Sequence, residues 1–370
     1  MLSDDSGFRE TVDPPRFSLT FPIYQTSAFK LPEGDNYRYG REKNPTVEEL
    51  ERIISLFEGT RSTTCFSSGM GAISTTLLTL VEPGGKLIIP LDLFARTRGF
   101  ALNFLKKWNV DVEVAGIGTD SILKAISEGC IVFVESLSNP ILRLYDLERI
   151  ARAVHAKHGI LISDSTFATP INLKGCAFES DVSIHSLSKF IGGHNDIIGG
   201  SASGNQEIIS RIDLFRRTIG TNMDPNTAFL AIRGLKTLSL RMERINSSAM
   251  KIARKLQEDG IFDRVIYPGL ETHPDHNLAH RMMNGYGGVI SFRLKDVGEK
   301  PLERLKSLSL IEPANTLGSV GTVISHPMTM SHRSLNKMEF NDLGVDEYFF
   351  RLSVGTEDPE LILKDLRKMA

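Results

Sequence analysis

Cysteine is scarce in this sequence, with three residues in 370, at positions 65, 130 and 176, forming no CxxC pair and drawing no histidine cluster around them. That scarcity excludes a disulfide framework and a structural zinc site, and it fits a reducing compartment. Net charge is equally thin, because 43 basic side chains face 45 acidic ones and leave only -2. No general attraction to nucleic acid or to an anionic membrane follows from it. Long apolar runs are missing too, and nothing approaches the length of a membrane span. The opening stretch MLSDDSGFRETVDPPRF carries acids and prolines where a secretion signal needs a basic patch and an apolar core. The expectation is a soluble, cytoplasmic protein with neither nucleic acid nor membrane as a partner.

The chain is longer than one hydrophobic core usually organises, so two domains and an arm are expected. Residues 1–46 read as the arm, since Pro14, Pro15, Pro22, Pro32 and Pro45 block long helices. From Val47 the pattern turns helical in TVEELERIISLFE and stops at Gly59. Short apolar runs then follow, KLIIPL, CIVFVES, GILISDS and DVSIHS, separated by amphipathic stretches such as LERIARAVHAKHG. This alternation predicts an α/β domain over 47–240, with a mainly parallel central sheet. A long basic helix near Thr237 and the strands GGVISFRL and FFRLSVG predict a smaller α+β domain over 241–370.

Open α/β sheets bind ligands at the carboxyl ends of their strands. Here one run ends in Glu135 and leads to Asn139, the next ends in Asp164, and a third ends in Ser186 just before Lys189. Any one of these alone is a helix cap or a surface side chain, but three polar termini converge with a lysine. Upstream, Ser67, Ser68, Gly69, Met70 and Gly71 lead into an apolar-periodic helix, whose free N–H groups favour an anion. With the hydroxyls of Ser186 and Ser188, the set describes a pocket for a phosphorylated aromatic aldehyde. The lysine amine would condense with the aldehyde, and the aspartate would keep a pyridine nitrogen protonated.

At this point the sequence resembles the pyridoxal-phosphate enzymes of cysteine and methionine metabolism. The likeness runs through PIYQTSAF, YGREKNPT, SSGMGAI, ESLSNP, DSTFATP, HSLSKFIGGH, GTNMDPNTAFLAIRGLKTL, YPGL, GYGG and RLSVGTED. It implies a fold-type-I pyridoxal-phosphate transferase, with helices on both faces of the central sheet and pyridoxal 5'-phosphate as cofactor. Lys189 looks like the lysine that binds the cofactor and moves protons, and Asp164 like the partner of its pyridine nitrogen. Gly69, Met70, Ser186 and Ser188 match the phosphate-binding positions. Tyr39 and Arg41 match residues that reach the phosphate of a neighbouring subunit, which implies a homotetramer built from dimers sharing active sites. Arg351 resembles the arginine that clamps the α-carboxylate of an amino-acid substrate, and Asn139 and Thr316 match further positions of that pocket. His185 and His194 are given structural roles.

The departures bear on the activity. Where most members stack a tyrosine on the cofactor, this chain has FART, so Phe94 keeps the ring and lacks the hydroxyl, and Arg96 replaces a small residue. Ser165 stands in place of the usual asparagine, and Gly321 stands in the place of a glutamate. The resemblance implies elimination or replacement at the β or γ carbon of a sulfur-containing or O-activated amino acid, like cystathionine γ-lyase or γ-synthase. Methionine γ-lyase and O-acylhomoserine sulfhydrylase (homocysteine synthase) activities stay open. So do an aminotransferase and a pyridoxal-phosphate-binding protein without turnover. Arg96 is expected to read an anionic distal group, with a solvent-facing loop position as the alternative.

Overall fold

A computed structural model describes residues 18–30, 37–295, 300–333 and 335–369. Residues 1–17 and 31–36 of the expected arm lie outside the described residues. The first helix, α1 (Pro45–Glu58), begins where Asn44 accepts a hydrogen bond from Thr46 N–H, and Pro45 takes the first turn, where its missing donor is no loss.

Seven strands form the central sheet: β1 (Ser62–Phe66), β2 (Lys86–Pro90), β3 (Asp111–Ala115), β4 (Ile131–Glu135), β5 (Ile160–Asp164), β6 (Val182–Ser186) and β7 (Gly200–Gly204). Their spatial order is β1-β7-β6-β5-β4-β2-β3, and β7 alone runs antiparallel to its neighbours. Helices cover both faces, as expected for a parallel sheet. On one face α2 (Gly69–Leu80) packs over β6 and β7, and on the other α1 and the helix Leu147–His155 close a second apolar layer. The sequence GSASG of β7 has no apolar pattern because its neighbours come too close. A Cβ on Gly200 would lie 2.3 Å from the carbonyl oxygen of Ser68, at the entry to α2.

The smaller sheet joins β8 (Phe262–Ile266), β9 (Val289–Leu294), β10 (Glu312–Pro313), β11 (Val323–Ser325) and β12 (Phe349–Ser353) in the order β10-β11-β12-β9-β8. Its core includes Ile290, Phe292, Phe350 and Leu352. The long helix Leu238–Glu258 contributes Ala249, Ile252, Ala253 and Leu256 to that core, and residue 240 falls near the helix's start.

Candidate active site

Strands β4, β5 and β6 are parallel neighbours, with Glu135 opposite Asp164 and Asp164 opposite Ile184. That register brings Glu135, Asp164 and Ser186 to one rim. Above the rim lies a cavity of about 1040 Å³, lined by Gly69, Met70, Phe94, Arg96, Asn139, Asp164, Ser186, Ser188, Lys189, Thr316 and Arg351. Eleven of the thirteen residues singled out in the sequence therefore share one space. Tyr39 and Arg41 do not. Tyr39 is 46% exposed, and Arg41 lies over its ring at 5.6 Å while donating to the carbonyl oxygen of Arg217.

Lys189 reaches the cavity from the turn after β6, where its Nζ donates to Thr316 Oγ1 at 3.3 Å. Desolvation, helped by the positive charge of Arg351, lowers its amine to about 8. A fraction of it is a free base near neutral pH. The turn that carries Lys189 is held from behind by Arg241, whose guanidinium donates to the carbonyl oxygens of Phe190, Ile191 and Gly234.

Asp164 presents surface to the cavity, yet the protein packed around it pushes its carboxyl up. Bonds from Thr166 and the charge of His185 pull the other way. Glu135 is buried and pushed up further, by desolvation first and by Asp164 second. Its two oxygens accept the N–H groups of Phe94 at 2.9 Å and Asn139 at 3.1 Å, so one carboxyl sets both the ring and the amide.

At the start of α2, Ser68 Oγ accepts from Gly71 N–H and Ser68 O from Ala72 N–H. The N–H groups of Gly69 and Met70 are left without a protein acceptor among the described residues. A Cβ on Gly69 would lie 2.9 Å from Ser186 Oγ, so only glycine lets the helix start reach that hydroxyl. Two free amides beside a serine fit the phosphate of the cofactor. The hydroxyl of Ser188 is otherwise engaged, accepting Gly199 N–H at 3.0 Å.

Arg351, on β12, is 3% exposed. Its Nη1 donates to Asn139 Oδ1 at 2.9 Å and its Nη2 to Thr316 O at 3.2 Å, while Nε is buried with no partner among the described residues. Desolvation lowers this guanidinium to about 10, with Glu135 opposing. A buried cation that lacks a paired carboxylate and keeps a free donor fits a substrate carboxylate.

The cavity residues that escaped the sequence reading include two polar groups. Thr166 donates its N–H to Asp164 Oδ1 at 2.9 Å, and its hydroxyl accepts Ser186 N–H at 2.8 Å. Its place two residues past a strand-end aspartate was the available signal. The segment Thr329–Arg333 forms part of the wall, and buried His332 contacts Asn139 O at 2.9 Å, with its ring lowered to about 4 by desolvation. No motif marked it. Among the described residues there is no group of side chains fit for a metal ion, and no helix is long and apolar enough to cross a membrane.

A family model described as Cys/Met metabolism PLP-dependent enzyme matches residues 9–369. Cystathionine gamma-synthase 1, chloroplastic, from Arabidopsis thaliana is 36% identical over 363 residues, covering 94% of this chain and 64% of that protein. The chain thus spans just under two-thirds of that relative's length. L-methionine gamma-lyase from Fusobacterium nucleatum subsp. polymorphum is 34% identical, covering 95% of this chain and 93% of the relative. Among solved structures, cystathionine gamma synthase from Xanthomonas oryzae pv. oryzae superposes with a TM-score of 0.91 at 31% identity, covering 95% of this chain and 92% of that one. Cystathionine gamma-lyase from Lactobacillus plantarum gives 0.92 at 29% identity, covering 96% and 94%.

Proposed function

This chain belongs to the Cys/Met metabolism PLP-dependent enzymes, and from that premise we propose that it acts on a sulfur-containing or O-activated amino acid by cystathionine γ-lyase-like or γ-synthase-like chemistry. It is a pyridoxal-phosphate enzyme of β or γ elimination or replacement, as its relatives are. The observation that carries the finer reading is the cavity itself, where a buried arginine with no carboxylate partner among the described residues faces a depressed lysine amine across Thr316.

The cofactor, when bound, supplies an electron-withdrawing ring that stabilises negative charge at the substrate carbon. The chain's own residues do the rest. Gly69, Met70 and Ser186 would hold the phosphate, and Ser188 would shape the turn beside it. Asp164 would pair with the pyridine nitrogen, and Phe94 would supply the stacking face. Arg351, braced by Asn139 and Thr316 O, orients the α-carboxylate. Lys189 is the group placed to take a proton from the substrate and return it. Phe94 has no hydroxyl to share that work.

Arg96 and Arg333 are exposed at the cavity wall, and neither has an ion-pair partner among the described residues. Two such cations at the wall of the cavity that also holds Arg351 suit a distal anionic group, as on cystathionine or an acidic homoserine ester. Tyr39 and Arg41 serve a neighbouring subunit's phosphate in this reading, with 1–46 as the arm, 47–240 as the cofactor domain and 241–370 as the second domain. Assembly as a cytoplasmic homotetramer belongs to the same proposal.

A panel of cystathionine, methionine, cysteine and homoserine esters with and without cysteine, followed by keto-acid and thiol release, tests it. Fastest turnover on cystathionine or on a homoserine ester with cysteine is the expected result. Fastest turnover on methionine, or keto-acid-dependent amino transfer alone, would overturn it.

A further inference from the structure

Glu135 closes β4 on the cavity side of the sheet. Alternation along three neighbouring strands sets Glu135, Asp164 and Ser186 two residues past Phe133, Ile162 and Ile184, which belong to one apolar layer on that face. The Glu135 side chain borders the cavity, yet the residue is only 7% exposed. Both of its carboxyl oxygens are in use. Oε1 accepts the N–H of Phe94, 41 residues earlier in the chain, and Oε2 accepts the N–H of Asn139, four residues later.

The two donors serve opposite sides of the chemistry. Phe94 is the N-cap residue of the helix Ala95–Asn103 and makes no side-chain cap, so its N–H bond to Glu135 anchors the turn that presents the ring. Asn139 is held at three points: its N–H by Glu135, its carbonyl oxygen by His332 Nε2 at 2.9 Å, and its amide oxygen by Arg351 Nη1 at 2.9 Å. A bond to a backbone N–H fixes the main chain from which a side chain departs. One carboxyl therefore governs both where the ring lies and where the amide meets the guanidinium. Groups joined through one buried acceptor form a network whose members do not act independently.

We propose that Glu135 is a positioning residue that couples the two halves of the site, holding Phe94 over the cofactor ring and Asn139 against Arg351, so that cofactor affinity and α-carboxylate recognition depend on the same carboxyl. The proposal rests on the readings of Phe94 and Arg351 given above. Glu135 acts through those two stretches of backbone and touches neither cofactor nor substrate.

The test measures two dissociation constants: pyridoxal phosphate on the cofactor-free protein, and glycine on the cofactor-loaded protein, followed by the cofactor's visible absorption. Glycine has the α-carboxylate and no leaving group, so turnover does not enter. Glu135→Met removes both acceptors and should weaken each affinity by about tenfold. Glu135→Gln keeps one acceptor oxygen for two N–H groups and should weaken at least one affinity by about as much, so it carries the test if Glu135→Met fails to fold. Added to Phe94→Ala, either Glu135 variant should leave cofactor affinity within about twofold of Phe94→Ala alone, and added to Asn139→Ala it should do the same for glycine. Unchanged constants in the Glu135 variants overturn the proposal even where their melting temperatures fall, since a purely structural acceptor would give that result. Losses that persist undiminished in the Phe94→Ala and Asn139→Ala backgrounds also overturn it, because Glu135 would then touch a ligand itself. Cofactor affinity that survives Phe94→Ala, or glycine affinity that survives Arg351→Ala, removes that residue's reading and the proposal with it. Losses in Phe94→Ala and Arg351→Ala without a loss in either Glu135 variant remove the proposal alone.

Discussion

At the floor of the cavity, Asp164, Glu135 and Lys189 sit on or just past the ends of adjacent strands, each shifted from its ordinary titration by desolvation. At its mouth, Arg96, Ile198 and Arg333 are exposed, and Ile198 keeps 70% of its surface in the open. Floor residues are fixed by register and by backbone hydrogen bonds, so a change there alters the chemistry. Mouth residues lie off the sheet, Arg96 in the first turn of the helix Ala95–Asn103 and Ile198 and Arg333 in loops, and are free to differ without disturbing the strands. In the proposed reading the two regions divide the work, with reaction type set below and choice of substrate set above.

The strongest way to break that division is at Lys189. Lys189→Ala should lower turnover by at least about a thousandfold on every substrate, read as keto-acid release, and a loss confined to one substrate would erase the distinction. The same amine predicts two pH effects in the cofactor-free protein. Its rate of reaction with added pyridoxal phosphate should rise with pH and level off above about 8, because only the neutral amine attacks. Its folded pKa of about 8 lies below the ordinary 10.5, so the unfolded chain binds more protons between the two. Thermal stability should therefore rise with pH across that interval, as far as this group is concerned.

Arg351 comes next, as the residue that joins floor to substrate. Arg351→Ala should cost about a hundredfold in kcat/KM on all amino acids alike, since every one has an α-carboxylate. Selective loss in a steady-state comparison would move Arg351 to the mouth. Arg96→Ala should cost about tenfold, and only on substrates with a distal anion, leaving methionine nearly unchanged. Equal losses on cystathionine and methionine would place Arg96 with the floor. Phe94→Tyr is the smallest, a rise of about threefold on thiol-releasing substrates if leaving-group protonation limits them. An unchanged rate would mean that proton transfer at this face runs through Lys189 or water.

The floor was legible in the sequence because β4, β5 and β6 are apolar runs that stop at a polar residue, a pattern that buried parallel strands impose. The cradle at Gly69 and Met70 was legible for a similar reason, since a capping serine before glycines announces a helix start. Strands β1 and β7 were not, because STTCF and GSASG show no apolar alternation, and in β7 neighbouring backbone comes too close for a side chain at Gly200 or Gly204. Thr166 joins Asp164 to the strand beyond it, a contact across the sheet that linear spacing does not display. The Thr329–Arg333 wall comes from a distant loop whose residues have no period and no strand end to mark them. His185 was given a structural role, and its buried contact with Glu58, 127 residues away in the chain, is one that linear spacing does not display.

Arg241 fastens the turn that presents Lys189 from a position about fifty residues later in the chain. The consequence is one of timing. A ribosome that has just finished the lysine has released a turn with nothing to hold its carbonyls, and the clamp exists only after the long helix has emerged. A nascent chain arrested between residues 200 and 235 should carry the reactive amine yet capture no cofactor, and capture should begin only once Arg241 has cleared the exit tunnel.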